Sequence, residues 1–209
     1  MSNNRAYRIL FFVIVIYFLT SCQKIAKKDN EYFGELPHIF EKHQSKVTKL
    51  ERESKLTSSV GKSLEINSKL KKLNKKFQRV YKKEYNKIKF PVHLPFEGQI
   101  NFSNYQIQDV YVSDITVKGR VKIVAKAYAN QNNICPFTFA RFVDKKNNPV
   151  GENAYIILTL PNYNHGHIEK NSVNQGEQFN LEGFYPTILD LSDMKKVVFI
   201  SEQAYFNNE

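Results

Sequence analysis

The chain has no tryptophan and, across 209 residues, only two cysteines, two methionines, eight glycines and seven prolines. Each shortage closes off a class of chemistry. A phosphate-cradling loop needs clustered glycines, and the eight present form no such cluster. Without tryptophan the largest sugar-stacking ring is missing, although Tyr163, Tyr185 and Tyr205 offer smaller ones. Ser172, Ser192 and Ser201 all lack the G-x-S-x-G setting of a hydrolase nucleophile. Zinc takes three or four ligands, while Asn164-His165-Gly166-His167 brings two histidines with Glu169 as the nearest acid. An exposed loop is expected there, with no metal and no cofactor. His38 and His43 are five apart in a helical pattern, off a shared face. Asp190 and Asp193 precede an apolar run, where turn or cap duty is the expectation. No acid, base and nucleophile constellation emerges, so the expected role is non-enzymatic.

Long apolar runs are scarce as well. Ile9 to Leu19 is the one unbroken stretch of note, too short for the ~20 residues of a membrane span. Arg5 and Arg8 precede it, and Leu19-Thr20-Ser21-Cys22 closes it. This arrangement resembles the lipobox of bacterial lipoproteins. The resemblance implies cleavage before Cys22, a diacylglyceryl group on its sulfur and a further acyl chain on the new amino group. Two or three acyl chains hold a protein durably at a bilayer where one does not. Gln23 follows in place of aspartate, which by the sorting rule of enteric bacteria favours the outer membrane over the inner. Acylation of Cys22 leaves Cys135 without a disulfide partner, and the apolar run Ile134-Cys135-Pro136-Phe137 reads as a small buried hydrophobe's setting.

The net charge of +11 is concentrated. Residues 38–89 hold 16 Lys/Arg against 5 Asp/Glu, a net +11, whereas residues 1–37 come to +2 and residues 90–209 to −2. The division separates residues 1–21 as signal, 22–37 as lipid tether, 38–89 as basic helical segment, 90–104 as linker and 105–209 as β domain. In the basic segment Val47 and Leu50, then Leu56, Val60 and Leu64, then Leu70, Leu73, Phe77 and Val80 recur at threes and fours. The last four have coiled-coil spacing, which invites self-association. Thr57-Ser58-Ser59-Val60-Gly61 is the weak point, so the segment is either one long helix or a hairpin resuming near Ser63. Phe90-Pro91 ends it.

Beyond Gly98 the period changes to that of strands, through Tyr111–Thr116, Arg120–Ala129, Cys135–Val143, Ala154–Leu160, Phe179–Phe184 and Lys196–Glu202. About seven short strands over ~110 residues predict an antiparallel sandwich. Phe142-Val143-Asp144 before a polar turn, with Asn174-Gln175-Gly176-Glu177 before Phe179, resembles the layout of FxLYD-type domains. The resemblance implies an Ig-like sandwich of adhesive or structural use and carries over no functional residue. The predicted class is α+β, a tether and basic helix or hairpin followed by an Ig-like β-sandwich.

Lys69, Lys71, Lys72, Lys75, Lys76, Arg79, Lys82 and Lys83 form the candidate binding surface. In an exported lipoprotein such a run points to an anionic envelope polymer or lipid headgroups, with no nucleic acid as partner. The expected role is a membrane-anchored structural or protein-interaction module of the cell envelope. The alternative is binding of peptidoglycan or another anionic envelope polymer through the lysines.

Overall fold

The computed structural model describes residues 31–98, 101–102, 104–151, 155–161 and 172–200. Two helices come first, α1 (Leu36–Leu56) and α2 (Val60–Tyr85). Pro37 opens α1, where a missing N–H costs nothing. The helices pack side by side as a hairpin joined by Thr57, Ser58 and Ser59, so the weak point is a true break. Helix α2 resumes at Val60 and carries Gly61 inside it, three residues earlier than the expected Ser63.

Eight strands follow: β1 (Val92–His93), β2 (Phe96–Gly98), β3 (Tyr105–Ile115), β4 (Val121–Ala129), β5 (Phe137–Val143), β6 (Ile156–Thr159), β7 (Gln178–Tyr185) and β8 (Lys196–Ile200). A 3-10 turn at Ile188–Asp193, capped by the Thr187 hydroxyl accepting from the Leu189 amide, leads into β8. The order across the sheet is β1-β3-β4-β7-β6-β5-β8-β2, antiparallel except for β2 beside β8. Its two outermost strands, β1 and β2, are separated in sequence by Leu94 and Pro95 alone. Three peptide steps reach about 10 Å at most, so the sheet has to curl into a half-barrel that brings its ends together.

The α+β class holds, with one revision. The expected two-sheet sandwich is here one continuous sheet, because β6 pairs with β5 on one side and with β7 through Thr159–Glu182 on the other. Residues 90–104, expected as a linker, supply both sheet ends. The tether expected through Pro37 also yields to packing: Phe33 and Leu36 are fully buried.

Strand β3 shows how the core side is kept apolar. Its inward residues are Tyr105, Ile107, Val110, Val112 and Ile115, a spacing that skips an extra residue twice. The register against β4 shifts at the same two places, between Ile107 and Asp109 and between Val112 and Asp114. These bulges rotate the chain so that apolar side chains stay inside, opposite Val121, Ile123, Ala125, Ala127 and Ala129 of β4. Each bulge carboxylate accepts from the next backbone amide, Asp109 from Val110 and Asp114 from Ile115, both at 2.8 Å. Re-aimed by the bulge, each also takes a partner from an earlier segment, His93 at 3.0 Å for Asp109 and the Tyr85 hydroxyl at 2.6 Å for Asp114.

The half-barrel is closed at one end by the base of the hairpin. Phe33, Leu36, Phe40 and Phe77 belong to the same buried cluster as the strands, with Tyr81, Tyr85, Ile88 and Phe90 packed against it. Phe40 sits over Gly119, whose backbone has a φ of 82° and whose missing Cβ leaves room for the ring. The Tyr81 hydroxyl donates to the Ile115 carbonyl. The hairpin is therefore part of the core at one end and leaves it at the other.

Candidate functional site

The site candidates are the surfaces that the far half of the hairpin leaves uncovered. Helix α2 is 26 residues long and spans about 39 Å. Its buried side chains are Ile66 and Phe77, with Leu70 and Leu73 half-buried on the same side. Phe77 packs edge-on to Phe40 at 5.1 Å and is stacked by His43 at 4.0 Å. The seam expected to pair copies of the chain is thus engaged at Phe77 by α1 of the same chain.

At 100° per residue, Lys69, Lys71, Lys72, Lys75, Lys76, Arg79, Lys82 and Lys83 fall within an arc of roughly 160° opposite that seam. All eight are exposed. Among the described residues, Lys69 alone of the eight forms a salt bridge, to Glu65 at 2.6 Å one turn away. The pairing raises the Lys69 pKa, first through the hydrogen bond and then through the charge of Glu65. The structure therefore brings all eight sequence-predicted cations together on one face.

The apolar pattern divides differently from the expectation. Leu56, Val60 and Leu64 had been placed on the inward stripe, yet they are 88%, 76% and 65% exposed. Leu56 belongs to α1, and within α2 the six-residue step from Leu64 to Leu70 carries Val60 and Leu64 off the face of the seam. Ile66 takes the buried position instead. Val60 and Leu64 lie on the outward arc, in line with Lys71, Lys75 and Lys82 at spacings of four and seven. The hairpin carries an apolar apex, continued by a cationic flank.

Nearer the base, a cavity of about 270 Å³ opens between the helices. Ile39, Leu73, Phe77 and Val80 supply its apolar lining, and Lys42, Lys46 and Lys76 stand around it with Glu35. His38 and His43 both line it, despite their separation on α1. Burial holds the His43 imidazole below its usual pKa, opposed by a hydrogen bond with Asn74. His38 lies 3.4 Å from Glu41.

Cys22, His165, His167 and Glu169 lie outside the described residues. Cys135 is half-buried and unbridged. The Asp190 carboxylate lies 3.5 Å from the Tyr185 hydroxyl, which also donates to the Val150 carbonyl at 2.7 Å. Burial and the Asp190 charge both raise the pKa of that phenol. Among the described residues no group of three or more His, Cys, Asp or Glu converges as metal ligands would. No described helix is long and apolar enough to cross a membrane. Comparison with family models, with curated proteins and with solved structures returns no match.

Proposed function

We propose that this protein is a lipid-anchored bacterial envelope lipoprotein that acts without catalysis, as a contact module whose reaching arm is the α1–α2 hairpin. One observation carries the reading. Among the described residues, the hairpin buries one side at its base against the half-barrel and keeps both an apolar apex and an outward cationic arc exposed. Lys75, Arg79 and Lys82 are exposed and form no ion pair among the described residues, which supports a use in contact with a partner. The leader ending at Cys22 supports the anchor. From Cys22 to Phe33 the chain reaches about 40 Å when extended, comparable to the length of α2. A likeness to FxLYD-type domains belongs to this proposal in the layout of two turns, carried on the single curled sheet. It is supported by buried Phe142 and Val143 leading into the Asp144 turn, where Asp144 accepts the Lys146 and Asn148 amides. The Asn174–Glu177 turn adds support, with Gly176 at a φ of 88°.

A second reading is attachment to peptidoglycan or another anionic envelope polymer, favoured by the cationic arc. Photo-cross-linking from Lys72 in intact envelopes tests both. A single defined protein, retained at high salt, establishes the interaction module. Polymer capture that disappears as salt rises moves the role to polymer attachment. Capture of no protein, polymer or lipid overturns the reading of the hairpin as a contact arm. Cys22→Ser should release the protein from membranes, and persistent co-fractionation would remove the anchor from the proposal.

A further inference from the structure

Val60 and Leu64 lie on the same side of α2 as the cationic arc, and their chemistry selects between the anionic partners available to a contact arm. A hydrated polyanion neutralises lysines but has nothing to cover Val60 and Leu64. An anionic bilayer does both, because its headgroups meet the cations while its interfacial region takes up apolar side chains. The apex has the shape for this. It is a convex turn of small polar residues, Thr57, Ser58 and Ser59, with an exposed apolar residue on either side and Lys55 and Lys62 flanking them. From Val60 to Lys82 the outward row extends about 33 Å along the helix axis. That length lies parallel to a surface once the helix does.

We infer that the outward face of α2 docks flat on an anionic lipid leaflet, Val60 and Leu64 entering the interface and Lys71, Lys75 and Lys82 lying over lipid phosphates. The inference rests on the reading of the hairpin as a contact arm and names what the arm contacts. A lipid-anchored protein then holds its leaflet at two places, by its acyl chains and by the hairpin. The sheet is carried to one side, at a fixed attitude to the membrane.

The test uses the full chain in vesicles, with an environment-sensitive fluorophore on a cysteine introduced by Ser59→Cys in a Cys135→Ser background. Vesicles of phosphatidylcholine alone are compared with vesicles containing phosphatidylglycerol, each carrying brominated lipids as quenchers. Docking predicts a blue shift and quenching with the anionic vesicles only. Each of Lys71→Gln, Lys75→Gln and Lys82→Gln should lower the docked population about fivefold. Val60→Ser combined with Leu64→Ser should lower it about tenfold. All five positions are exposed, so the fold is unaffected by these changes.

Flotation read in parallel separates the two claims. Protein that floats with both vesicle types while the fluorophore stays in water keeps its anchor and overturns the docking inference. Protein that floats only with anionic vesicles, with the fluorophore quenched, supports docking and overturns the anchor. Protein that floats with neither overturns both.

Discussion

The two ends of the hairpin are built from the same kind of helix and meet opposite fates. At the base, Phe40, Phe77, Tyr81 and Tyr85 converge on the rim of the half-barrel, and a carboxylate from a β-bulge reaches out to bind one of the phenols. At the apex, Leu56, Val60 and Leu64 meet nothing among the described residues that covers them. A residue's type says that it will seek burial, and its distance from a second element decides whether the chain itself provides it. Base and apex are divided by reach: α1 extends about 31 Å, and the sheet closes over its first turns alone. The base answers for stability, and contact is the role proposed for the apex.

The largest effect should come from Phe77→Ala, which removes a ring packed on Phe40 and His43. A loss of about 3–5 kcal/mol is expected in denaturant unfolding. Leu64→Ala should change stability by less than about 0.5 kcal/mol. Comparable losses at both positions would erase the distinction between the two ends.

Next in size is the joint between hairpin and sheet. Tyr85→Phe deletes a hydrogen bond to a carboxylate, expected to cost about 1.5–3 kcal/mol. The same joint has a signature at alkaline pH. Burial pushes the phenols of Tyr81 and Tyr85 up to about 12 each, Asp114 adding to both. An unfolded chain releases those protons near pH 10 and the folded chain holds them longer. Stability is therefore complete below pH 10 and falls as pH rises toward 12. Tyr85→Phe should flatten that fall, and an unchanged alkaline limb would place the sensitive groups elsewhere.

Much of the joint was hidden from the sequence for a physical reason. The seam Leu70-Leu73-Phe77 was legible because a helix repeats its faces at fixed spacing, and β4 was legible because its inward residues alternate without interruption. Strand β3 was only half legible. Asp109 and Asp114 break its alternation, and the bulges that repair it exist only once β4 is alongside. Strands β1 and β2 are two and three residues long, below any periodic signal, and their pairing partners lie far along the chain. The eight cations were legible as a run, and helical geometry gathers them on one face. Exposure of Val60 and Leu64 was masked by their own spacing of four, because only the six-residue step from Leu64 to Leu70 takes them off the seam.

A smaller effect should come from His43. Burial lowers its pKa, so the folded state favours the neutral ring, whereas an unfolded chain takes up a proton below about pH 6.5. Its contribution is complete above that value and is lost as pH falls through it, down to the depressed folded value. His43→Phe keeps a ring on Phe77 and removes the proton site. Unfolding midpoints of variant and parent should therefore converge near neutrality and separate at pH 5, with the variant higher. Parallel profiles would relieve His43 of any role in the acid limb.

The smallest effect on folding separates base from apex most sharply. Lys71 and Lys75, Lys72 and Lys76, Lys75 and Arg79, and Arg79 and Lys83 are like charges one turn apart on an exposed face. Each such pair weakens a helix by about 0.2–0.5 kcal/mol, more at low salt. Lys75→Gln breaks two of these pairs and should raise stability by a few tenths of a kcal/mol at low ionic strength, with the gain fading as salt is added. The sign matters more than the size. Side chains that oppose the folding of their own helix, while none of these six forms a salt bridge among the described residues, add nothing to its stability. The proposed contact surface is what would give them a use. A loss of stability on Lys75→Gln would return them to a structural role and leave the apex residues alone as the contact surface.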